Sequence, residues 1–174
     1  MIEIESKFRS PGNDKIEKAL AKIGAKKMAE ETMEDVYFAH PGRDFGETDE
    51  ALRLRKKSDG AELSYKGPRM NVERAKAREE INLRVDNALT AQRIVERLGF
   101  KEVCVVKKSR KSYTIDKLRI DVDDVEGLGE FVELEILTES PERSEELLEL
   151  ARKELALDRF EPRTYLEMIL DKKT

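Results

Sequence analysis

The chain opens MIEIESKFRS, and three of its first side chains have types and spacing that could do chemistry together. Glu3, Glu5 and Lys7 each lie two residues from the next. In an extended strand they share one face, with Ile2, Ile4 and Phe8 on the other. Two carboxylates suit a hard divalent cation, Mg²⁺ or Mn²⁺, and the neighbouring ammonium suits a phosphate. The same trio also fits an outer face bathed in water.

The pattern recurs along the chain. In ALRLRKK, Arg53 and Arg55 oppose Leu52 and Leu54; in AELSYKG, Ser64 and Lys66 oppose Leu63 and Tyr65. In AREEINLRVD, Arg78, Glu80, Asn82 and Arg84 oppose Ile81, Leu83 and Val85. Lys108 and Arg110 share a face of VVKKSR; Arg119, Asp121 and Asp123 share one of LRIDVDD; Glu133 and Glu135 share one of FVELEIL. A half-solvated sheet alternates in this way too, and spacing alone leaves both readings open. In the alternative, the sheet closes with its charged faces inward and its apolar faces under helices. Such a lumen of both signs is costly unless its charges pair or serve a charged ligand. Arg and Lys would cradle a chain of phosphates, and the carboxylates would hold metal, the general recipe for phosphoryl or nucleotidyl transfer.

The elements that must position these residues are legible in outline. The strand over 2–9 precedes a helix with Ile16, Leu20 and Ile23 on one face, capped by Asn13 or Asp14 and stopped at Gly24. A long strand ends in DVYFA, and HPGRDFGETDE is a loop. ALRLRKK and AELSYKG form a hairpin about Asp59 and Gly60. GPRMN reads as a connection to AREEINLRVD. A helix carrying Ile94, Val95 and Leu98 ends at Gly99, three strands follow, and SPERSEELLELARKEL is a helix with Ser140 as cap. RTYLEMIL is a short final helix. LAKIGAKK faintly echoes VERLGFKE: helix, glycine, then strand. About eight strands joined mostly by short turns predict an α+β antiparallel or closed-barrel architecture, in one domain over 1–174.

Composition sets bounds on function. Of 174 residues, 41% are charged, yet the formal net charge is only −4, so no single-signed field advertises nucleic acid or an anionic membrane. The lone cysteine, Cys104, rules out an intrachain disulfide and suits a reducing cytoplasm. No run approaches the ~20 apolar residues of a membrane span. The expectation is a soluble, cytoplasmic protein. His40, the only histidine, sits in a loop beside Pro41 and reads as solvated; Cys104, between Val103 and Val105, reads as core. There is no GxxxxGK[ST] phosphate loop.

Taken in order, these blocks resemble a known family. EIESK resembles the ExExK signature of the CYTH family, which belongs to the triphosphate tunnel metalloenzymes. DVYF, ALRLRK, LSYKGP, the ARE of AREE, VVKKSR and LGEFVELEI resemble its recurring blocks along almost the whole chain. The resemblance implies an eight-stranded antiparallel β-barrel, a tunnel with a charged lumen and helices packed outside, that binds a triphosphate with Mg²⁺ or Mn²⁺. It implies that Glu3, Glu5, Asp121, Glu133 and Glu135 hold metal. It implies that Lys7, Arg53, Arg55, Lys66, Arg78, Lys108 and Arg110 hold phosphates, and that Lys66 and Tyr37 are the candidate catalytic groups. Asp123, Glu80 and Arg84 share these faces and stand between site residue and wall ion pair.

The YFAHPGRDFGETDEALRLR block is most similar to the class IV adenylyl cyclase-like subgroup, which joins the ribose 3′-oxygen of ATP to its α-phosphate and releases pyrophosphate. The same cradle serves hydrolysis of tripolyphosphate, thiamine triphosphate or a nucleoside triphosphate, and a non-catalytic nucleotide- or polyphosphate-binding module is a distant alternative. The implied partner is a triphosphate-containing small molecule, not a membrane or nucleic acid. Apolar outer faces in excess of helical cover would favour a homodimer.

Overall fold

Two helices in this chain end in the same way, and each hands over to a long strand. Helix α1 (Asn13–Lys22) ends at Gly24, with φ +78°; Gly24 N–H donates to Ala21 O and Ala25 N–H to Leu20 O. Helix α3 (Ala88–Arg97) ends at Gly99, with φ +98°; Gly99 N–H donates to Glu96 O and Phe100 N–H to Val95 O. Both are Schellman endings, which need a residue free to take positive φ. The strands that follow, β2 (Lys26–Ala39) and β7 (Lys101–Ile115), pair antiparallel with each other. The sequence echo is therefore a structural repeat, its two halves joined strand to strand.

The structure is a computed structural model that describes residues 2–72, 75–138 and 141–173; the side chains of residues 2, 3, 71–77, 141–143 and 145 lie outside the described residues. The remaining elements are β1 (Ile2–Arg9), α2 (Phe45–Thr48), β3 (Ala51–Lys57), β4 (Gly60–Lys66), β5 (Met70–Val72), β6 (Ala75–Val85), β8 (Leu118–Val125), β9 (Gly129–Thr138), α4 (Pro141–Glu154) and α5 (Tyr165–Lys173). The strands form one antiparallel sheet in the order β1-β9-β8-β7-β2-β3-β4-β6-β5. Strand β1 also pairs with β6, Ile2 opposite Glu79 through Glu5 opposite Lys76, so eight strands close on themselves. This is the expected α+β barrel, with β5 an additional short strand where GPRMN read as a connection. Helix α2, inside the expected loop, is held by Asp44, whose Oδ1 accepts from Gly46 N at 2.8 Å.

Charged side chains point inward and helices cover the apolar outside. Ile16 and Leu20 of α1 and Leu148 and Ala151 of α4 pack on Ile4, Phe8, Ile120, Val122, Val132 and Leu134. Val95 of α3 packs on Val36, Phe38, Leu54 and Ala61. Outer-face Ile81 and Leu83 of β6 stay exposed. The cap of α1 differs from expectation: the N-cap is Gly12, which has no side chain to bond with, and Asn13 instead donates its Nδ2 to Asp123 O at 3.1 Å. The cap expected at Ser140 lies outside the described residues. No described helix is long and apolar enough to cross a membrane.

The inward face is not charged along its whole depth. At one end of the barrel Cys104, Val106, Val125 and Phe131 form an apolar collar, and Tyr165 and Met168 of α5 fill it. The C-terminal helix thus packs inside that mouth. Cys104 is buried as expected, but beneath α5 on the inner face.

Candidate active site

A cavity of about 220 Å³ occupies the barrel interior. Strands β1, β3, β4, β6 and β7 turn Lys7, Arg53, Arg55, Lys66, Arg78 and Lys108 toward it. All but Lys66 are buried. Alternation places them there: a strand whose odd or even residues are apolar presents that face to the helices, and the other face turns inward. So much buried charge has little stabilising logic unless it serves a ligand, since desolvation consumes most of the Coulombic gain.

The basic residues are individually positioned. Arg55 is gripped by Asp35, Nε to Oδ1 and Nη2 to Oδ2, both at 2.7 Å. Burial alone would raise the Asp35 carboxyl, but Arg55, with Arg53 and Lys108, holds it well below the usual carboxylate range. Lys66 lies 3.0 Å from Glu80 and Arg53 lies 3.8 Å from it, so Glu80 is a wall carboxylate that steers two cations. Lys7 donates to Arg163 O at 3.1 Å and pairs with Glu133 at 3.5 Å. Burial and nearby Arg110 push the Lys108 ammonium down to about 8. Both lysines face the Tyr165 ring, Lys7 Nζ at 4.0 Å and Lys108 Nζ at 4.8 Å from its centroid.

Arg110 stands apart from the other cations. Its guanidinium donates to Asp121 at 2.5 Å, to Asp123 at 2.5 and 2.6 Å, and to Glu133. Three carboxylates therefore claim it. Burial opposes ionisation of Glu133, yet Arg110, Lys108 and Lys7 hold its carboxyl well below normal. Asp121 is held from the other side by Arg119, at 3.0 Å. Asp123 also takes the Tyr165 hydroxyl at 2.8 Å and Lys108 at 3.3 Å. Arg84, whose side chain is 77% exposed, lies 3.9 Å from Asp59 and is not among the cavity's lining.

Glu5 and Glu135 are the contrasting pair. They stand directly opposite in the β1–β9 register, where like charges repel. Burial raises the Glu135 carboxyl; Arg119 pulls it down, but Asp121 and Glu5 push it further up, and the net shift is upward. This is carboxylate charge short of cations, which fits a divalent ion. Among the described residues no three His, Cys, Asp or Glu gather into a full metal cage. Glu3 lies on β1 opposite Arg78 and Leu137; its side chain is outside the described residues.

Tyr37 lines the cavity beside Arg53 in register. Burial, then the charge of Asp35, raises its phenol, so it stays protonated. His40 is outside the cavity, packed against Phe45 and Phe100 at 5.5 and 5.1 Å.

Asp35, Tyr165 and Glu62 are among the lining residues that sequence reading missed. Asp35 stands two before Tyr37 and so on the same face, a signal that was present. Tyr165 comes from a helix with no periodic link to the barrel. Glu62, 3.6 Å from Arg53, shares its face with Ser64 and Lys66.

A family model for the CYTH domain matches residues 1–165. A Methanocaldococcus jannaschii protein, provisionally named an adenylate cyclase, is 36% identical over 97% of this chain and 98% of its own. A solved Pyrococcus horikoshii structure is 38% identical with a TM-score of 0.88, covering 98% of this chain and 99% of that one. A Hippeastrum structure, provisionally named an adenylyl cyclase and described as revealing a dominant triphosphatase activity, shares the fold. Its identity is 22% and its TM-score 0.74, over 99% of this chain and 97% of that one.

Proposed function

The chain belongs to the CYTH domain family, and from that premise we propose that it is a metal-dependent enzyme acting on a triphosphate bound in its tunnel. The reading is class IV adenylyl cyclase-like, ATP to cyclic AMP and pyrophosphate. The observation that carries it is the juxtaposition in one cavity of six cations, five of them held by wall carboxylates, with the facing carboxylates Glu5 and Glu135.

Arg53, Arg55, Lys66, Arg78, Lys7 and Lys108 take the phosphate oxygens, Arg by planar forks and Lys by point charges. Glu5 and Glu135, with Glu3 on the same strand face, would hold Mg²⁺ or Mn²⁺; Asp121 and Glu133 support that end through Arg110. The ion, when bound, supplies Lewis-acid neutralisation of charge on the phosphate chain. Because α5 fills one mouth, the substrate enters by the other, phosphates first. In the cyclase reaction the 3′-oxygen forms a bond to the α-phosphorus, the bond from that phosphorus to the bridging oxygen of pyrophosphate breaks, and the 3′-hydroxyl proton passes to water. Lys66 neutralises charge on the departing pyrophosphate. Tyr37, kept protonated, donates a hydrogen bond to a phosphate oxygen.

The second reading is hydrolysis of tripolyphosphate, thiamine triphosphate or a nucleoside triphosphate. The description of the Hippeastrum protein favours keeping it. The same cradle serves both, and the register of the phosphate chain decides which phosphorus meets a nucleophile. A phosphorus NMR time course with equimolar ATP and tripolyphosphate, in Mg²⁺ and then Mn²⁺, separates them. A cyclic phosphodiester signal with pyrophosphate supports the cyclase. Conversion of tripolyphosphate to pyrophosphate and orthophosphate with ATP intact supports the hydrolase. No change in either substrate overturns the cyclase reading and hydrolysis of tripolyphosphate or ATP, and the same time course with thiamine triphosphate then decides the second reading.

A further inference from the structure

The open mouth of the tunnel carries a residue that the phosphate cradle does not use. Arg53, Ser64 and Asn82 are consecutive neighbours across β3, β4 and β6, all on the inner face. Arg53 Nη2 donates to Ser64 Oγ at 3.1 Å, and Ser64 Oγ lies 2.6 Å from Asn82 Oδ1. Ser64 is fully buried, whereas Asn82 is exposed and lines the cavity.

The donor count orients the amide. A guanidinium can only donate, so Ser64 Oγ accepts from Arg53 and has one proton to give. Two acceptors compete for it: Asn82 Oδ1 at 2.6 Å and Glu62 Oε1 at 3.5 Å. The shorter contact has the length of an O–H···O bond and is too short for a typical N–H···O bond. Asn82 therefore turns its oxygen toward Ser64 and its amino group toward the channel, an orientation relayed from Arg53. With the other mouth filled by Tyr165, any group attached to the phosphate chain must lie on this side.

We propose that Asn82 is a specificity-determining residue: its amino group donates to an acceptor on the organic part of an organic triphosphate, such as a ring nitrogen, carbonyl or sugar oxygen. Ser64 is its positioning residue. This rests on the tunnel holding a triphosphate, as proposed above. The consequence is selectivity between an organic triphosphate and a bare phosphate chain. A donor aligned with an acceptor on one ligand favours that ligand over one that lacks the acceptor.

The test is calorimetric affinity, with Mg²⁺, for α,β-methylene-ATP and for inorganic tripolyphosphate, on wild type, Asn82→Ala and Ser64→Ala. Asn82→Ala should weaken α,β-methylene-ATP by about 10-fold, the worth of one good hydrogen bond, and leave tripolyphosphate within about two-fold. Ser64→Ala should weaken both ligands, because Arg53 loses its acceptor, but α,β-methylene-ATP more than tripolyphosphate, because the amide is also freed to turn. Equal loss of both ligands, or loss of neither, overturns the assignment of Asn82 while leaving the cradle intact. Failure of the wild type to bind either ligand overturns the tunnel reading itself, and the inference with it.

Discussion

Asp35 holds Arg55 by a two-pronged ion pair inside the tunnel, both contacts at 2.7 Å, with Asp35 only 1% exposed. The pair is a support for the phosphate cradle: the carboxylate fixes the plane of the guanidinium and leaves its remaining edge for a ligand. Removing one partner of a buried pair strands the other. Asp35→Asn should therefore cost about 3 kcal/mol, a Tm fall of roughly 6–12 °C in a chain of this size. It should also raise the KM for a triphosphate. Thermal melting and steady-state kinetics check both; an unchanged Tm contradicts the supporting role.

The acids of the tunnel should divide into two classes by their effect on stability. Glu5 and Glu135 repel each other, so Glu135→Gln should abolish turnover while leaving the metal-free Tm unchanged or higher. Glu133 neutralises Arg110 and Lys7, so Glu133→Gln should lower turnover and lower the Tm as well. Melting curves in EDTA distinguish them. Equal destabilisation by the two variants contradicts the division.

Lys108, with its ammonium pushed down to about 8 by burial and then by Arg110, is charged below that pH and loses charge above it. A phosphate placed beside it favours the charged form. Triphosphate binding should weaken as pH rises from 7 to 9, and near pH 9 it should take up close to one proton. Titrations in buffers of different ionisation enthalpy measure that uptake. Binding with no proton uptake contradicts the assignment of Lys108 to the cradle.

Away from the tunnel, Glu161 accepts from Arg163 at 2.8 and 2.9 Å and from Arg9 at 3.2 Å. The Arg163 bonds pull its carboxyl down to about 2, from an ordinary 4.5. A carboxyl depressed on folding adds stability that is present above its unfolded value and is lost as pH falls toward the folded one. Glu161→Gln should destabilise by on the order of 1 kcal/mol at pH 7, since Arg163 is solvent-screened, and the gap from wild type should close between pH 4.5 and 2. Urea denaturation across that window checks it; a gap independent of pH contradicts it.

The inner and outer faces were legible in the sequence because a period of two assigns each strand residue to a side. Glu5, Arg53, Arg55, Lys66 and Arg78 reach the cavity for that reason. Periodicity does not say what fills the space between facing walls. Cys104, Val106, Val125 and Phe131 sit on the same faces as the charges, yet their partner, α5, is remote in sequence, so the filled mouth was hidden. Nor does periodicity show which charges cancel: Arg110 shares a face with Lys108, but only the β7–β8–β9 register brings three carboxylates onto it. Strand β5 was missed because three residues show no usable alternation.

The central claim is that this polar tunnel holds a triphosphate together with a divalent ion. Titration calorimetry of tripolyphosphate into the wild-type protein, in EDTA and again with Mg²⁺, tests it most directly. Binding should be one-to-one, should tighten by at least about 10-fold with Mg²⁺, and should lose this tightening in Glu135→Gln. Absence of binding under both conditions, or affinity indifferent to the metal, would contradict it.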